Sequence, residues 1–234
     1  MISSGNNIIS AEDKLVKISI EYLYNSIKNP SSKLETLIKQ LRLISEIDKT
    51  KYNSLKRQLP YIVCAHFNPP YRKTDNFSYT QYFVVDIDHI NEKGLDIKKV
   101  KNDICKDDRV LLCFNSPSED GLKVIFMLNN KCFDHGLYSV FYKMFVYDFS
   151  KTYNLEQVID KRTFDVCRAC FLSSDSDIYY NPISSTINLE SYVSIDSFNE
   201  NNKKIKEIDI FNDTHDADVQ NEKNELTEDI YSKI

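Results

Sequence analysis

The stretch QYFVVDID at positions 81–88 decides the fold. Its apolar run is bounded by polar segments and has the length of one buried strand, which predicts a central position in a sheet. The run ends in Asp86 and Asp88, and side chains at i and i+2 of a strand share one face. Two carboxylates side by side repel each other unless a proton or a metal ion intervenes. The pair therefore predicts a Mg²⁺ or Mn²⁺ site at the end of this strand, with a plain solvent-exposed strand end as the alternative.

The segments that follow this strand alternate between strand and helix patterns. Their order predicts a β-α-β-β-α-β arrangement, which is the ferredoxin-like or RRM-like fold with the spatial strand order 4-1-3-2. The first strand then lies between the third and the fourth, so its two aspartates meet Lys123 and the approach to the last strand. We expect strands at 81–88, 109–115, 122–128 and 169–173, and helices at 95–105 and 134–153.

The first sixty residues have helical patterns instead. Apolar residues recur at helical spacing from Ser10 to Pro30, and again over 33–47 and 52–58, before YIVCAHF at 61–67 predicts a strand. The predicted fold class is α+β, with a helical N-terminal lobe followed by a βαββαβ palm. The predicted divisions are a helical lobe at 1–60, the palm at 61–198, and an acidic tail of disordered composition at 199–234.

The formal net charge of −5 comes from the end of the chain. Residues 199–234 contain ten acidic and five basic side chains, whereas residues 1–198 contain 25 of each sign. A neutral body argues against a protein that mainly coats nucleic acid, but an enzyme needs only a local basic groove. No apolar run reaches the ~20 residues that a membrane helix needs, and no secretory leader pattern begins the chain. These features predict a soluble, cytoplasmic protein without a membrane partner.

The six cysteines lack the spacing of a secreted disulfide scaffold, so we expect reduced and mostly buried thiols. Cys167 and Cys170 form a single CxxC, whereas a structural zinc site needs four ligands. The chain also has no G-x-x-x-x-G-K loop, which excludes an ATPase of the P-loop type.

The segment NSPSEDGLK at 115–123 predicts the turn of a hairpin. Ser116 and Ser118 carry small hydroxyls, and Lys123 begins the next strand. Such a turn can offer N–H groups and an ammonium to a triphosphate, although Ser-Pro and Asp-Gly are also ordinary turn formers. The neighbouring aspartate pair favours the nucleotide-binding interpretation.

The segment VIDKRTFDVCR at 158–168 supplies a third carboxylate and a cation before the last strand. Asp160 would complete a two-metal site of the kind that polymerases use, and Asp165 is the alternative third ligand. Arg168 suits a phosphate because a guanidinium binds phosphate oxygens in pairs and stays charged. A surface ion pair is the alternative role for these residues.

In their order and spacing, VVDID, SPSEDGLK and VID resemble the three motifs of the archaeo-eukaryotic primase superfamily. The resemblance covers residues 11–182 and is closest to the primase-like domains of mobile elements and phages that are labelled VirE-type N-terminal domains. The segments DVCRACFLSSD and YYNP resemble the closing signature of that group. It implies that Asp86, Asp88 and Asp160 bind two divalent cations, while Ser118 and Lys123 contact a nucleotide and Arg168 lies near its phosphates. Most of the superfamily has histidine in place of this lysine, and glycine in place of Glu119, whose charge would repel a triphosphate.

The resemblance implies a DNA primase-polymerase that uses nucleoside triphosphates on a single-stranded DNA template, in the replication of a mobile element or phage. It also implies a replicative helicase on another chain as partner. Two alternatives remain open: a non-catalytic module of the same fold that binds single-stranded DNA or a helicase, and a nucleotidyl cyclase that uses ATP or GTP without a template.

Overall fold

A computed structural model describes residues 1–45, 47–160 and 163–193 of the chain. Its central sheet is antiparallel and has five strands. In spatial order these are β4 (Ala65–Phe67), β5 (Phe77–Ile87), β7 (Leu122–Cys132), β6 (Leu112–Asn115) and β9 (Tyr179–Tyr180). The predicted acidic tail at 199–234 lies outside the described residues.

A second antiparallel sheet has four short strands. In spatial order these are β2 (Val16–Ile18), β1 (Ile2–Gly5), β3 (Tyr61–Val63) and β8 (Cys170–Phe171). Only Cys64 separates β3 from β4, so one extended segment passes from this sheet into the central one. The pairing of β1 with β3 also joins residues on the two sides of position 60.

Helices begin at residues whose side chains accept hydrogen bonds from the first turn, as is usual for serine and aspartate at an N-cap. Ser19, Ser31, Asp48, Asp96 and Asp134 cap the five longer helices in this way. The helices are α1 (Ile20–Lys28), α2 (Ser32–Ile44), α3 (Lys49–Lys56), α4 (Ile97–Ile104), α5 (His135–Tyr153) and the short α6 (Glu190–Val193). Within the described ranges, no helix combines the length and apolar character needed to cross a membrane.

Strand β5 is covered on both faces, and its side chains alternate between two apolar clusters. Phe83, Val85 and Ile87 belong to a cluster that includes the aromatic face of α5, where the rings of Phe83 and Phe145 are 4.9 Å apart. Val84 belongs to a second cluster with the buried side chains of α1 and α2. Since Asp86 has the parity of Val84 along the strand, it lies on the face that α1 and α2 cover.

The α+β class and the helices and strands between positions 81 and 153 are confirmed, with shifts of a few residues at their ends. The predicted neighbours 1-3-2 are also confirmed, since β5, β7 and β6 lie side by side. All six cysteines are free thiols, and five of them are buried, as predicted.

The prediction of a helix from Ser10 is wrong, because the first helix begins at Ile20 with Ser19 as its cap. Residues 2–5 and 16–18 are strands instead. The Asp13 carboxylate accepts hydrogen bonds from the N–H groups of Asn6 and Asn7 and from the Tyr61 hydroxyl, at 2.8–3.0 Å. Asp13 therefore orders a loop between β1 and β2.

The predicted place of the last strand is also wrong. The strand expected at 169–173 is only β8, and it pairs with β3 in the second sheet rather than with β5. The position beside β5 belongs to β4, which pairs with the start of β5. The expected strand at 61–67 is thus two strands, each in a different sheet, because the chain bends at Cys64.

Replacing Phe83 by alanine tests the core beneath this fold. Phe83 is fully buried against three aromatic rings of α5, so Phe83→Ala should lower the free energy of unfolding by about 3–5 kcal/mol. Phe133→Ala is the control, because that ring is 70% exposed and its loss should cost within about 0.5 kcal/mol. Urea unfolding followed by circular dichroism measures both, and equal losses would contradict this description of the core.

Candidate active site

Three carboxylates meet at the end of β5. Asp86 lies within the strand and Asp88 directly follows it, while Asp160 arrives on a separate segment that pairs with the strand end. The N–H of Asp88 donates to the carbonyl of Val158 at 2.7 Å, and the N–H of Asp160 donates to the carbonyl of Asp86 at 2.8 Å. These two backbone bonds hold the third carboxylate in place, so that one oxygen of each aspartate lies within 4.8 Å of the others.

The predicted lysine lies between two of these carboxylates. Antiparallel pairing sets Lys123 directly opposite Asp86, on the same face of the sheet. Its Nζ donates to Asp86 Oδ1 and lies 3.4 Å from Asp88 Oδ1. The side chain is only 9% exposed, and this burial lowers its pKa to about 8. The lysine thus neutralises part of the negative charge of the cluster.

The surroundings of Asp88 disfavour its charged form. The protein atoms packed around it raise its pKa above the usual value, and the charge of Asp160 raises it further. The positive charge of Lys56, on α3, lowers this pKa, as do His89 and Arg168. Close oxygen donors on three carboxylates fit the preference of Mg²⁺ and Mn²⁺ for hard ligands, so these residues suit a divalent cation.

The hairpin turn between β6 and β7 lies beside the carboxylates. The N–H groups of Ser116 and Glu119 donate within the turn, to the carbonyls of Gly121 and Ser116, at 2.8 and 3.0 Å. These two groups therefore shape the turn and are not donors for a substrate. The hydroxyls of Ser116 and Ser118 lie 3.2 Å apart, with Ser116 buried and Ser118 partly exposed.

Glu119 has a partner of opposite charge. It has a positive φ of 62°, and its carboxylate lies 3.0 Å from a guanidinium nitrogen of Arg42 on α2. The same guanidinium donates to the carbonyl oxygens of Pro117, at 3.3 Å, and Ser174, at 2.7 Å. Arg42 therefore fixes the turn to the helical part of the chain and balances the charge of Glu119.

Gly121 lets the turn approach the end of β5. A Cβ atom at this position would lie 2.4 Å from the carbonyl oxygen of Ile87 and 3.0 Å from Asp88 Oδ1. The first distance is shorter than real Cβ contacts and the second is tighter than most of them, so a larger residue would push the turn away from the carboxylates. On the same side, the carboxylate of Asp120 accepts from the N–H of Asn91 at 2.8 Å, which joins the turn to the loop after β5.

The segment before β8 contains both candidates for the third carboxylate, Asp160 and Asp165, and they lie in different surroundings. Asp160 joins Asp86 and Asp88 and is paired with Arg168, whose guanidinium donates to it at 2.8 Å. Asp165 instead accepts from the N–H of Cys167 at 2.8 Å and is not in the carboxylate cluster. Of the predicted site residues, the structure thus brings together Asp86, Asp88, Asp160, Lys123 and Arg168, with the serine turn beside them.

Sequence patterns missed the cations that α2 and α3 contribute. Arg42 and Lys56 lie in ordinary amphipathic helices far along the chain from the motifs, and no local spacing marks them. Only the alternation of β5 hinted at their role, because it turns Asp86 and Asp88 toward the side of the helices.

Comparisons with known proteins find one family model and one solved structure that are similar to the chain. Residues 54–180 match the family model described as "BT4734-like, N-terminal domain". No curated protein matches the sequence. Among solved structures, the chain is similar to the AEP domain of the primase-polymerase (PrimPol) of cyanophage S-2L, with a TM-score of 0.44 and 7% sequence identity. That similarity covers 83% of this chain and 87% of the phage domain.

Adding one methyl group at Gly121 should disturb the site. Gly121→Ala should cost about 1–3 kcal/mol of stability, as overpacking does, and should weaken Mn²⁺ binding because the turn and Asp88 must separate. Gly136→Ala is the control, since its Cβ would meet only a carboxylate oxygen of Asp134, at 3.2 Å. Calorimetric titration with Mn²⁺ measures the affinity, and unchanged binding in Gly121→Ala would contradict the described approach.

The raised pKa of Asp88 predicts the direction of a pH effect. A cation binds the ionised carboxylate, so Mn²⁺ must displace the proton that burial favours on Asp88. Mn²⁺ should therefore raise the melting temperature more at neutral than at acidic pH. Asp88→Asn should remove most of this difference, since an amide has no acidic proton to displace. A wild-type shift that is independent of pH would contradict the assignment.

Proposed function

The chain belongs to the BT4734-like N-terminal domain family, and we propose that it is a metal-dependent nucleotidyltransferase of the primase-polymerase type. The observation that carries the proposal is the group of three carboxylates, Asp86, Asp88 and Asp160, with oxygens within 4.8 Å of one another. Lys123 and Arg168 add positive charge at the same place. Hard oxygen ligands with cations beside them suit divalent metal ions and a polyphosphate substrate together.

Each part of the site has its own task in this proposal. Asp86, Asp88 and Asp160 hold two divalent cations, Mg²⁺ or Mn²⁺. When bound, such cations lower the pKa of an attacking 3′-hydroxyl and neutralise the charge that develops on the leaving pyrophosphate. Arg168 binds phosphate oxygens while it keeps Asp160 in position. Lys123 exchanges part of its contact with the carboxylates for contact with the triphosphate of the nucleotide.

The serine turn would support the nucleotide through the Ser118 hydroxyl. The N–H groups of Ser116 and Glu119 already have carbonyl partners and are not donors for the substrate. The partly exposed position of Ser118 agrees with this task. Ser116 would act on the substrate only through its contact with Ser118.

The resemblance of the motifs to VirE-type primase-like domains supports the wider setting that we propose. In that setting the protein extends nucleic acid on a single-stranded DNA template in the replication of a mobile element or phage. It works in the cytoplasm and beside a replicative helicase on another chain. These assignments rest on the motif residues.

A non-catalytic module of the same fold is the main alternative. The residue that favours such a module is Glu119, because an unbalanced negative charge at this position would repel a triphosphate. The ion pair with Arg42, at 3.0 Å, balances that charge and favours the enzyme over the module.

A nucleotide-incorporation assay tests the proposal on single-stranded DNA, with and without a primer, in Mg²⁺ and in Mn²⁺. Wild-type protein should form template-dependent product. Asp160→Asn should lower the rate by more than about a hundredfold, because even residues that only support metal ligands contribute ten- to a hundredfold. Asp165→Asn is the matched control and should keep most of the activity, since Asp165 is outside the cluster.

Three results would argue against the proposal. Template-independent product from ATP or GTP alone would indicate a cyclase. No product from folded wild-type protein, together with binding of single-stranded DNA, would indicate the non-catalytic module. Equal loss of activity in both variants would remove the special role of Asp160.

A further inference from the structure

Lys56 lies at the last turn of α3, whose Tyr52 and Leu55 pack against the apolar cluster on the face of the central sheet that carries Asp86. Its ammonium is 5.5 Å from the centre of the Tyr52 ring, one turn earlier in the helix, and 5.9 Å from the centre of the Phe171 ring in β8. The side chain is half-buried between these elements. Two aromatic rings thus hold the cation at a defined place rather than leaving it in open solvent.

The charge of Lys56 reaches the centre of the site. It lowers the pKa of the Asp88 carboxyl, and it also lowers the pKa values of Lys123 and Cys170. Within the part of the chain that the structure describes, no carboxylate forms an ion pair with Lys56. Arg168 and Lys123, in contrast, each contact an aspartate of the cluster.

The balance of charge explains what such a cation does there. Among the described residues, Lys123, Arg168 and Lys56 offset the charge of the three carboxylates. Divalent metal ions bound to the carboxylates would leave the site with an excess of positive charge. A partly desolvated ammonium then gains most from an anion with several oxygens, and phosphate is the anion that ammonium groups bind as point charges.

We propose that Lys56 is a phosphate-binding residue, which reaches the site from the helical side and contacts either the polyphosphate of the nucleotide or a phosphodiester of the nucleic acid. The inference deepens the proposed function and rests on it for the identity of the substrate. Lys56 contacts the side of the substrate that faces α3, whereas Lys123 and Arg168 contact the side that faces the sheet. Its role is binding, and it does not take part in proton transfer.

The test compares Lys56→Gln with Lys51→Gln, a change of the same type at an exposed lysine of the same helix. The first probe is inorganic tripolyphosphate in the presence of Mn²⁺, and the second is a short single-stranded oligothymidylate. Calorimetry measures the affinity for each. Loss of one charge-assisted contact should weaken binding about tenfold or more in Lys56→Gln, while Lys51→Gln should bind as the wild type does. Lys56→Arg should restore most of the affinity, because it restores the charge.

The two probes distinguish the two sources of phosphate. Weaker binding of tripolyphosphate alone would place Lys56 at the nucleotide, and weaker binding of the oligonucleotide alone would place it on the nucleic acid. Equal affinities of Lys56→Gln and wild type for both probes would overturn the inference, as would wild-type protein that binds neither probe. Neither measurement needs turnover. Weaker phosphate binding in a protein that forms no product would therefore support Lys56 while it refutes the proposed enzyme.

Discussion

The antiparallel register between β5 and β7 is the constraint on which the site depends. It sets Asp86 opposite Lys123 and Ile87 opposite Leu122, so that charge meets charge on one face and apolar side chains meet on the other. A slip by one residue would turn Asp86 toward the aromatic cluster of α5, where an ionised carboxylate has no partner. It would also turn Phe83, which is fully buried, away from the aromatic rings of α5. The core and the site thus favour the same register.

The site works against the stability of the fold. Three carboxylates within 4.8 Å repel one another, and the raised pKa of Asp88 shows that its surroundings disfavour the charged form. Cations from three separate elements reduce this cost: Lys123 from β7, Arg168 from the segment before β8, and Lys56 from α3. A cluster that needs so much compensation has no structural advantage over apolar residues, which favours a functional reason for its presence.

Much of the central sheet could be predicted from sequence, because β5 and β7 are long and their apolar pattern is strong. The position of Asp86 and Asp88 follows from strand alternation alone. The place of β8 could not be predicted, since the strand has only two residues. Its pairing partner is β3, which lies in the second sheet because the chain bends at Cys64. The residues around that bend, from Tyr61 to Phe67, are all buried, so no alternation marks the change of sheet. The contribution of Lys56 was hidden for a related reason, because only the packing of α3 brings it near the carboxylates.

The N-terminal helices α1 to α3 contribute residues to the site and also pack against the core. The face of β5 that carries Asp86 is the face that α1 and α2 cover, and Arg42 of α2 holds the turn through contacts with Glu119 and Pro117. A fragment that begins at residue 61 would contain all three carboxylates but would lack Arg42, Lys56 and the strand that pairs with β3. Inactivity of such a fragment would therefore not argue against the carboxylates. The site therefore consists of the central sheet together with the helices that cover its polar face.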